Sequence, residues 1–175
     1  MEDFYLREIC VSDAKVTHTW RNDADVIEGL GSPYRFVNLQ AEETWFADYQ
    51  NNRATQLRLA IVNNKNEKLI GMGSLVKIDS ISRSAEFSLQ IGDKDFWGMG
   101  IGKWVTKSIM SHAFNHLNLN RIYLYVLDEN KRAQAVYHAA GFQNEGILRE
   151  AVFKDGEYKD LIVMSVIRRE FKSND

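Results

Sequence analysis

The sequence predicts one α/β domain of the α+β kind, with about seven strands and four helices in the order β-α-α-β-β-β-α-β-α-β-β. Three observations carry this. Apolar residues alternate with period two in short segments along the 175 residues. Two helical stripes, one behind a Gly-rich turn and one behind Asn130, interrupt the strands of the C-terminal half. Asp155-Gly156 then joins two extended runs as a hairpin turn. No repeat, low-complexity tract or linker breaks the chain, so residues 1–175 read as a single domain long enough to bury a core.

Phe4 to Val11 is the first strand, and Cys10 within it reads as a small core hydrophobe. Ser12 and Asp13 cap a helix whose buried side is Val16, Trp20, Val26, Ile27 and Leu30, with a bend at Asn22-Asp23. Residues 29–37 form a loop with the one proline, Pro33. A second helix starts near Leu39, with Glu42 and Glu43 in its first turn and Trp45, Phe46 and Tyr49 on one face. Leu57–Val62, Leu69–Ile78 and Arg83–Ile91 are three strands with turns at 63–67 and near Asp79-Ser80. After the Gly-rich turn, Trp104, Val105, Ile109, Ala113, Phe114 and Leu117 recur at helical spacing. Arg121–Leu127 is apolar on both faces, as a central strand would be. A short helix follows Asn130, and Ile147–Phe153 with Tyr158–Ile167 close the chain.

Composition excludes several classes. Hydrophobic residues make up 45% and charged residues 26%, a globular balance, and a formal net charge of −2 argues against a nucleic-acid partner held by phosphate neutralisation. Arg168-Arg169 is followed at once by Glu170 and reads as a solvated face. A single cysteine rules out an internal disulfide and a Cys-based zinc site. Met1-Glu2-Asp3 lacks an apolar signal core and no run approaches spanning length, so a cytoplasmic chain without membrane contact is expected. His112 and His116 lie one turn apart without the Glu of a zinc-protease motif, and no metal is expected.

Two segments carry chemistry. Trp97-Gly98-Met99-Gly100-Ile101-Gly102 places three glycines at alternate positions before a helix, where backbone amides and dipole suit a phosphate. A P-loop fails, because Trp97 stands at its first glycine and Trp104 at its Ser/Thr. The dinucleotide fingerprint fails at Lys103. The second segment has the form N-x-x-A-x-x-x-Y-x-x-x-G-F: Asn130 as N-cap, Ala133, Val136, Tyr137 and Ala140 on one stripe, and Gly141 as the stop.

Together these segments resemble the GCN5-related N-acetyltransferase (GNAT) superfamily, and within it the bacterial ribosomal-protein and spermidine acetyltransferases. The C-terminal run from Gly146 to Ile167 extends the likeness nearly end to end. The resemblance implies a mixed central sheet flanked by four helices. It also implies that the pyrophosphate of acetyl-CoA lies on the turn from Trp97 through Gly98, Met99, Gly100 and Ile101 to Gly102. Trp97 departs from the usual Gln or Arg, which removes a side-chain donor and leaves the amides. Asn130 and Ala133 belong beside the pantetheine arm and Tyr137 beside the sulfur.

The reaction asks for a base and an acid. An amine is mostly ammonium at neutral pH and must lose a proton before attacking the thioester. Glu86, on one strand face with Ser88 and Gln90, is the right type of group and stands where the family's histone acetyltransferases carry their base. The Tyr137 phenol is the expected acid for the departing thiolate. A backbone N–H near Leu89, Gln90 or Ile91 is expected to polarise the carbonyl.

The chain is therefore expected to be an acetyl-CoA-dependent N-acetyltransferase working by direct transfer in a ternary complex. The alternative is a non-catalytic acyl-CoA-binding module of the same fold. The resemblance implies that residues 28–37 shape the acceptor pocket, with Glu28 and Tyr34 as candidate contacts. That loop also holds Arg35 and an uncharged tip, which speaks against spermidine. A protein N-terminus, a polyamine, an amino sugar or another small amine stays open as acceptor, as does a homo-oligomeric state.

Overall fold

In the computed structural model, which describes residues 3–172, the strands are β1 (Phe4–Glu8), β2 (Leu57–Asn63), β3 (Lys68–Asp79), β4 (Ser84–Ile91), β5 (Arg121–Leu127), β6 (Gln143–Lys154) and β7 (Glu157–Ile167). The helices are α1 (Ala14–Arg21), α2 (Ala24–Glu28), α3 (Leu39–Asn52), α4 (Ile101–Asn115) and α5 (Lys131–Ala140). Met1 and Glu2, part of the acidic start read above, lie outside the described residues.

Hydrogen bonding arranges the strands as one mixed sheet in the order β1-β2-β3-β4-β5-β7-β6. Every neighbouring pair is antiparallel except β4 and β5. That parallel pair is short: Ser84 faces Arg121, Ala85 faces Ile122, Glu86 faces Tyr123, and there it stops. Beyond this point the strands have no bonds to each other, and the sheet is open between them.

Helices cover both faces. One core gathers Phe87, Ile101, Val105, Ile109, Phe114, Ile122, Leu124, Tyr137 and Phe142 between the sheet and α4 with α5. The other gathers Ile9, Ala14, Trp20, Val26, Phe46, Tyr49, Ala60, Val62 and Leu69 under α1 and α3. Trp20 lies so close to Gly92 that a Cβ there would sit 1.9 Å from the indole. Gly92 is thus a contact surface that fixes α1, and with it Arg21, against the end of β4.

Four expectations need correction. The first strand ends at Glu8, and Cys10 is exposed, because it starts a short 3₁₀ turn in which Asp13 accepts from the Cys10 amide at 2.9 Å. The single bent helix is two helices, since the Asp23 side chain accepts from Asp25 N and starts α2 afresh. β5 is one-sided: Ile122, Leu124 and Val126 are buried while Tyr125 is 42% exposed. Val16, read on the buried side of the first helix, is exposed, whereas Glu42 in the first turn of α3 is buried and accepts from Thr17 Oγ1 at 2.7 Å.

The loop after α2 is held from three sides. Lys154, buried at the end of β6, donates to the carbonyls of Ile27, Glu28 and Leu30 at 2.7, 2.7 and 2.8 Å. These are the orphan acceptors of a helix C-terminus, and a cation is the fitting partner. Asn130 Nδ2 donates to the Gly29 carbonyl at 2.8 Å, and Asn22 bridges both the N–H and the C=O of Val37.

Gly92→Ala is expected to destabilise the fold by about 1–3 kcal/mol, because the indole has no room to give. Urea unfolding followed by tryptophan fluorescence measures this. A midpoint equal to wild type would contradict the packing of Trp20 on the strand end.

Candidate active site

The opening between β4 and β5 is flanked by the start of α4, the start of α5 and the loop after α2. Gly98 and Gly100 have φ of 82° and 78°, a region in which a β-branched residue is strained. Gly100 is the N-cap of α4, and the first bond back to it is Trp104 N–H to Gly100 O at 3.3 Å. The amides of Ile101, Gly102 and Lys103 precede that bond and face outward at a 15-residue helix start. A Cβ on Gly98 would meet nothing within 4 Å, so the turn presents backbone to open space.

Trp97 has a definite task. Its indole donates to the Ile91 carbonyl at 2.8 Å, tying the turn to the end of β4. The Arg132 guanidinium lies 5.4 Å from the centre of its ring. Sequence reading passed over Arg132, yet it returns a cation to the turn from which Trp97 had removed one. Its signal was its place two residues after the Asn130 cap.

Leu89 marks where the elements converge. A Cβ on Gly102 would lie 3.5 Å from Leu89 and 3.6 Å from Val136, so α4, β4 and α5 meet there. On the opposite face of the sheet a cavity of about 180 Å³ is lined by Leu89, Gln90 and Ser88 from β4, Ser74 from β3 and Arg58 from β2, under Thr17, Arg21, Glu42 and Trp45 of the helices. A second cavity of about 220 Å³ shares Arg21 and runs along the loop at Ser32, Pro33 and Arg35.

Tyr137 is buried, with its ring edge-on to Phe87 at 6.1 Å and close to Phe142. Burial pushes its phenol up to about 12, and its hydroxyl has no hydrogen-bond partner among the described residues. Asn130 caps α5 as its sequence position predicts, Oδ1 accepting from Ala133 N at 3.0 Å, and Nδ2 donates in addition to the Gly29 carbonyl. It therefore braces the loop after α2 against α5.

Glu86 is not brought to the cavity. It is the last β4 residue paired with β5, half-buried, and its carboxylate is turned to Lys77, with Nζ at 2.7 Å. Glu28 is exposed and Tyr34 donates to the Asn22 carbonyl at 3.1 Å; neither lines the two cavities. The carboxylate that does line one is Glu42, with Oε2 3.8 Å from Arg21 Nε. Its stripe with Phe46 and Tyr49 was the sequence signal for an inward face. Among the described residues no group of three or more His, Cys, Asp or Glu is placed to hold a metal ion, and no helix is long and apolar enough to cross a membrane.

The family model described as the acetyltransferase (GNAT) domain matches residues 3–143. The chain belongs to the GNAT acetyltransferase family. As a GNAT member it is an N-acetyltransferase with acetyl-CoA as cosubstrate. Among its relatives, the spermidine N(1)-acetyltransferase of Vibrio cholerae is 29% identical over 95% of this chain and 94% of its own length. A spermidine N(1)-acetyltransferase of Escherichia coli is 30% identical over 95% and 87%. A crystal structure of the Vibrio cholerae spermidine N-acetyltransferase with CoA and spermine superposes with a TM-score of 0.90 at 26% identity, covering 97% of this chain and 98% of that one.

Gly100→Val is expected to lower acetyl-CoA affinity by tenfold or more, since a β-branched residue at φ 78° costs about 1–2 kcal/mol and crowds the amides. Calorimetric titration measures it, with circular dichroism reporting the fold. Wild-type affinity in a folded variant would remove the turn from the GNAT cosubstrate site.

Proposed function

We propose that this GNAT enzyme moves the acetyl group of acetyl-CoA directly to a primary amine of a small molecule. The acyl donor enters at the β4–β5 opening, and the amine enters from the cavity under α1 and α3. The observation that carries this is the shared strand end: Leu89 and Val136 of α5 both close on Gly102 at the start of α4 on one face, and Leu89 and Gln90 line the cavity reached from the other. The named activities of the relatives, transfer to the amine spermidine, support the reaction class. They offer no support for a non-catalytic binding module.

Chemically, the ammonium sheds a proton, its nitrogen forms a bond to the thioester carbon, and the carbon–sulfur bond breaks. The nitrogen loses a second proton as the amide forms, and one proton ends on the coenzyme A sulfur. The turn amides and Arg132 hold the pyrophosphate. A main-chain N–H of β4, unpaired with β5 beyond Glu86, polarises the thioester carbonyl. We assign Glu42, rather than Glu86, as the first proton acceptor, because Glu42 lines the amine's cavity and the Glu86 carboxylate is held by Lys77.

Tyr137 supplies the proton to the sulfur. Its phenol, pushed up to about 12 by burial, stays protonated across the working range. Against a thiol near 8.5 in water a full transfer is uphill by about 3.5 units. The same burial raises the thiol's own affinity for a proton, so donor and thiolate are matched inside the site and not outside it.

Tyr137→Phe is expected to lower turnover about 10²–10⁴-fold with acetyl-CoA affinity little changed. An acyl donor with a better leaving thiol should recover part of that loss. The wild-type pH profile should show no descending limb from Tyr137 up to pH 10, because the acid form is lost only near 12. A limb near 10 that vanishes in Tyr137→Phe would contradict the burial argument.

Glu42→Gln, which keeps the Thr17 hydrogen bond, is expected to lower turnover about 10²–10⁴-fold, most at low pH. Glu86→Gln should change it far less. The reverse ranking would return the base to Glu86.

A further inference from the structure

We propose that the acceptor carries an anionic group, a carboxylate or a phosphate, on the same molecule as its amine, and that Arg58 and Arg21 bind that group. The inference rests on the amine-transfer reading above and names the substrate class of its cavity.

Charge is the first argument. The cavity under α1 and α3 is lined by two guanidinium groups, Arg21 and Arg58, and one carboxylate, Glu42. Glu42 already accepts from Thr17 and faces Arg21, so the lining is positive before any substrate arrives. The adjoining cavity along the loop adds Arg35 and no carboxylate. A polyamine, which is all cation, meets repulsion here; an amine with its own anion does not.

Arg58 itself is the second argument. It is half-buried on β2, and its one side-chain hydrogen bond goes from Nε to the neutral Gln56 Oε1 at 2.8 Å. Among the described residues it has no ion-pair partner. Trp45 stacks under the guanidinium at 4.4 Å from the ring centre, holding it flat at the cavity wall. A desolvated cation without an anion is costly, and burial pulls its pKa down, so the site is completed by a negative group from outside. The planar fork of Nη1 and Nη2 suits a carboxylate or phosphate edge.

Gln90 supplies the third. Its Nε2 is buried and has no hydrogen-bond partner among the described residues, although Gln90 lines the same cavity. An unsatisfied buried donor of this kind is rare, and an acceptor oxygen on the ligand satisfies it.

The test uses matched amines with the full-length protein: lysine against cadaverine, phosphoethanolamine against ethanolamine, and spermidine as the polycation. Thiol release from acetyl-CoA is read for each. The anion-bearing member should be preferred at least tenfold in kcat/KM, with the lysine and phosphoethanolamine arms separating carboxylate from phosphate. Arg58→Gln should collapse that ratio by about 10–100-fold through KM, as expected for loss of charge-assisted hydrogen bonds. Arg58→Lys should retain part of it, and Arg21→Gln serves if Arg58→Gln does not fold. Preference for spermidine or for the members that lack the anion would overturn the inference and leave acetyl transfer standing. If no amine releases thiol, calorimetry on the CoA-loaded protein decides. Arg58-dependent binding of lysine or phosphoethanolamine would uphold the anion site while removing the transfer reading, and no binding would overturn the site.

Discussion

The end of parallel pairing after Glu86 and Tyr123 is the constraint on which the rest of the molecule depends. Each strand keeps its other neighbour, β3 for β4 and β7 for β5, so the sheet stays intact while it opens between them. Main-chain groups on the two facing edges lose their strand partners, and such groups require replacements. An extended amide-bearing arm is the kind of ligand that fits this need, which is why the acyl donor is proposed to lie there. The helix starts at Gly100 and Asn130 stand at this opening because α4 follows β4 and α5 follows β5 in the chain. The donor site therefore follows from topology before any side chain is considered.

Side chains decide the acceptor. The two faces of β4 have different partners: Phe87 packs with Tyr137 and Phe142 on one, while Ser88 and Gln90 look toward α1 and α3 on the other. Trp20 on Gly92 fixes α1, Lys154 and Asn130 fix the loop, and Trp45 fixes Arg58. The outcome is a pocket of mostly positive lining in a family whose relatives include enzymes named for spermidine. Fold and donor are shared across such relatives, and on the reading proposed above the few groups under α1 and α3 set the acceptor.

Much of this was legible in the sequence. The β5 limits, the α5 stripe with its Asn130 cap and Gly141 stop, and the αL glycines before α4 all express local backbone preferences, which a sequence shows directly. What stayed hidden depended on partners far along the chain. Alternation in β2 put Arg58 on a polar face but carried no sign that Trp45 would cover it. Glu42 looked like a first-turn acid serving the helix dipole until Thr17 was placed against it. Lys154 and the Ile27, Glu28 and Leu30 carbonyls are more than a hundred residues apart, and Cys10 followed a strand pattern that a three-residue turn cut short. Glu86 was chosen for its residue type and strand face; that Lys77 on the neighbouring strand would hold its carboxylate depended on the β3–β4 pairing.

The account stands on the opening between β4 and β5 as the place where donor and acceptor meet. Backbone amide NMR during titration with coenzyme A tests that most directly. The amides of residues 98–103 and the unpaired halves of β4 and β5, residues 87–91 and 124–127, should shift together, with the β6–β7 hairpin turn at Asp155-Gly156 unmoved. Shifts centred on that hairpin or on α1 and α3, with residues 98–103 silent, would contradict it.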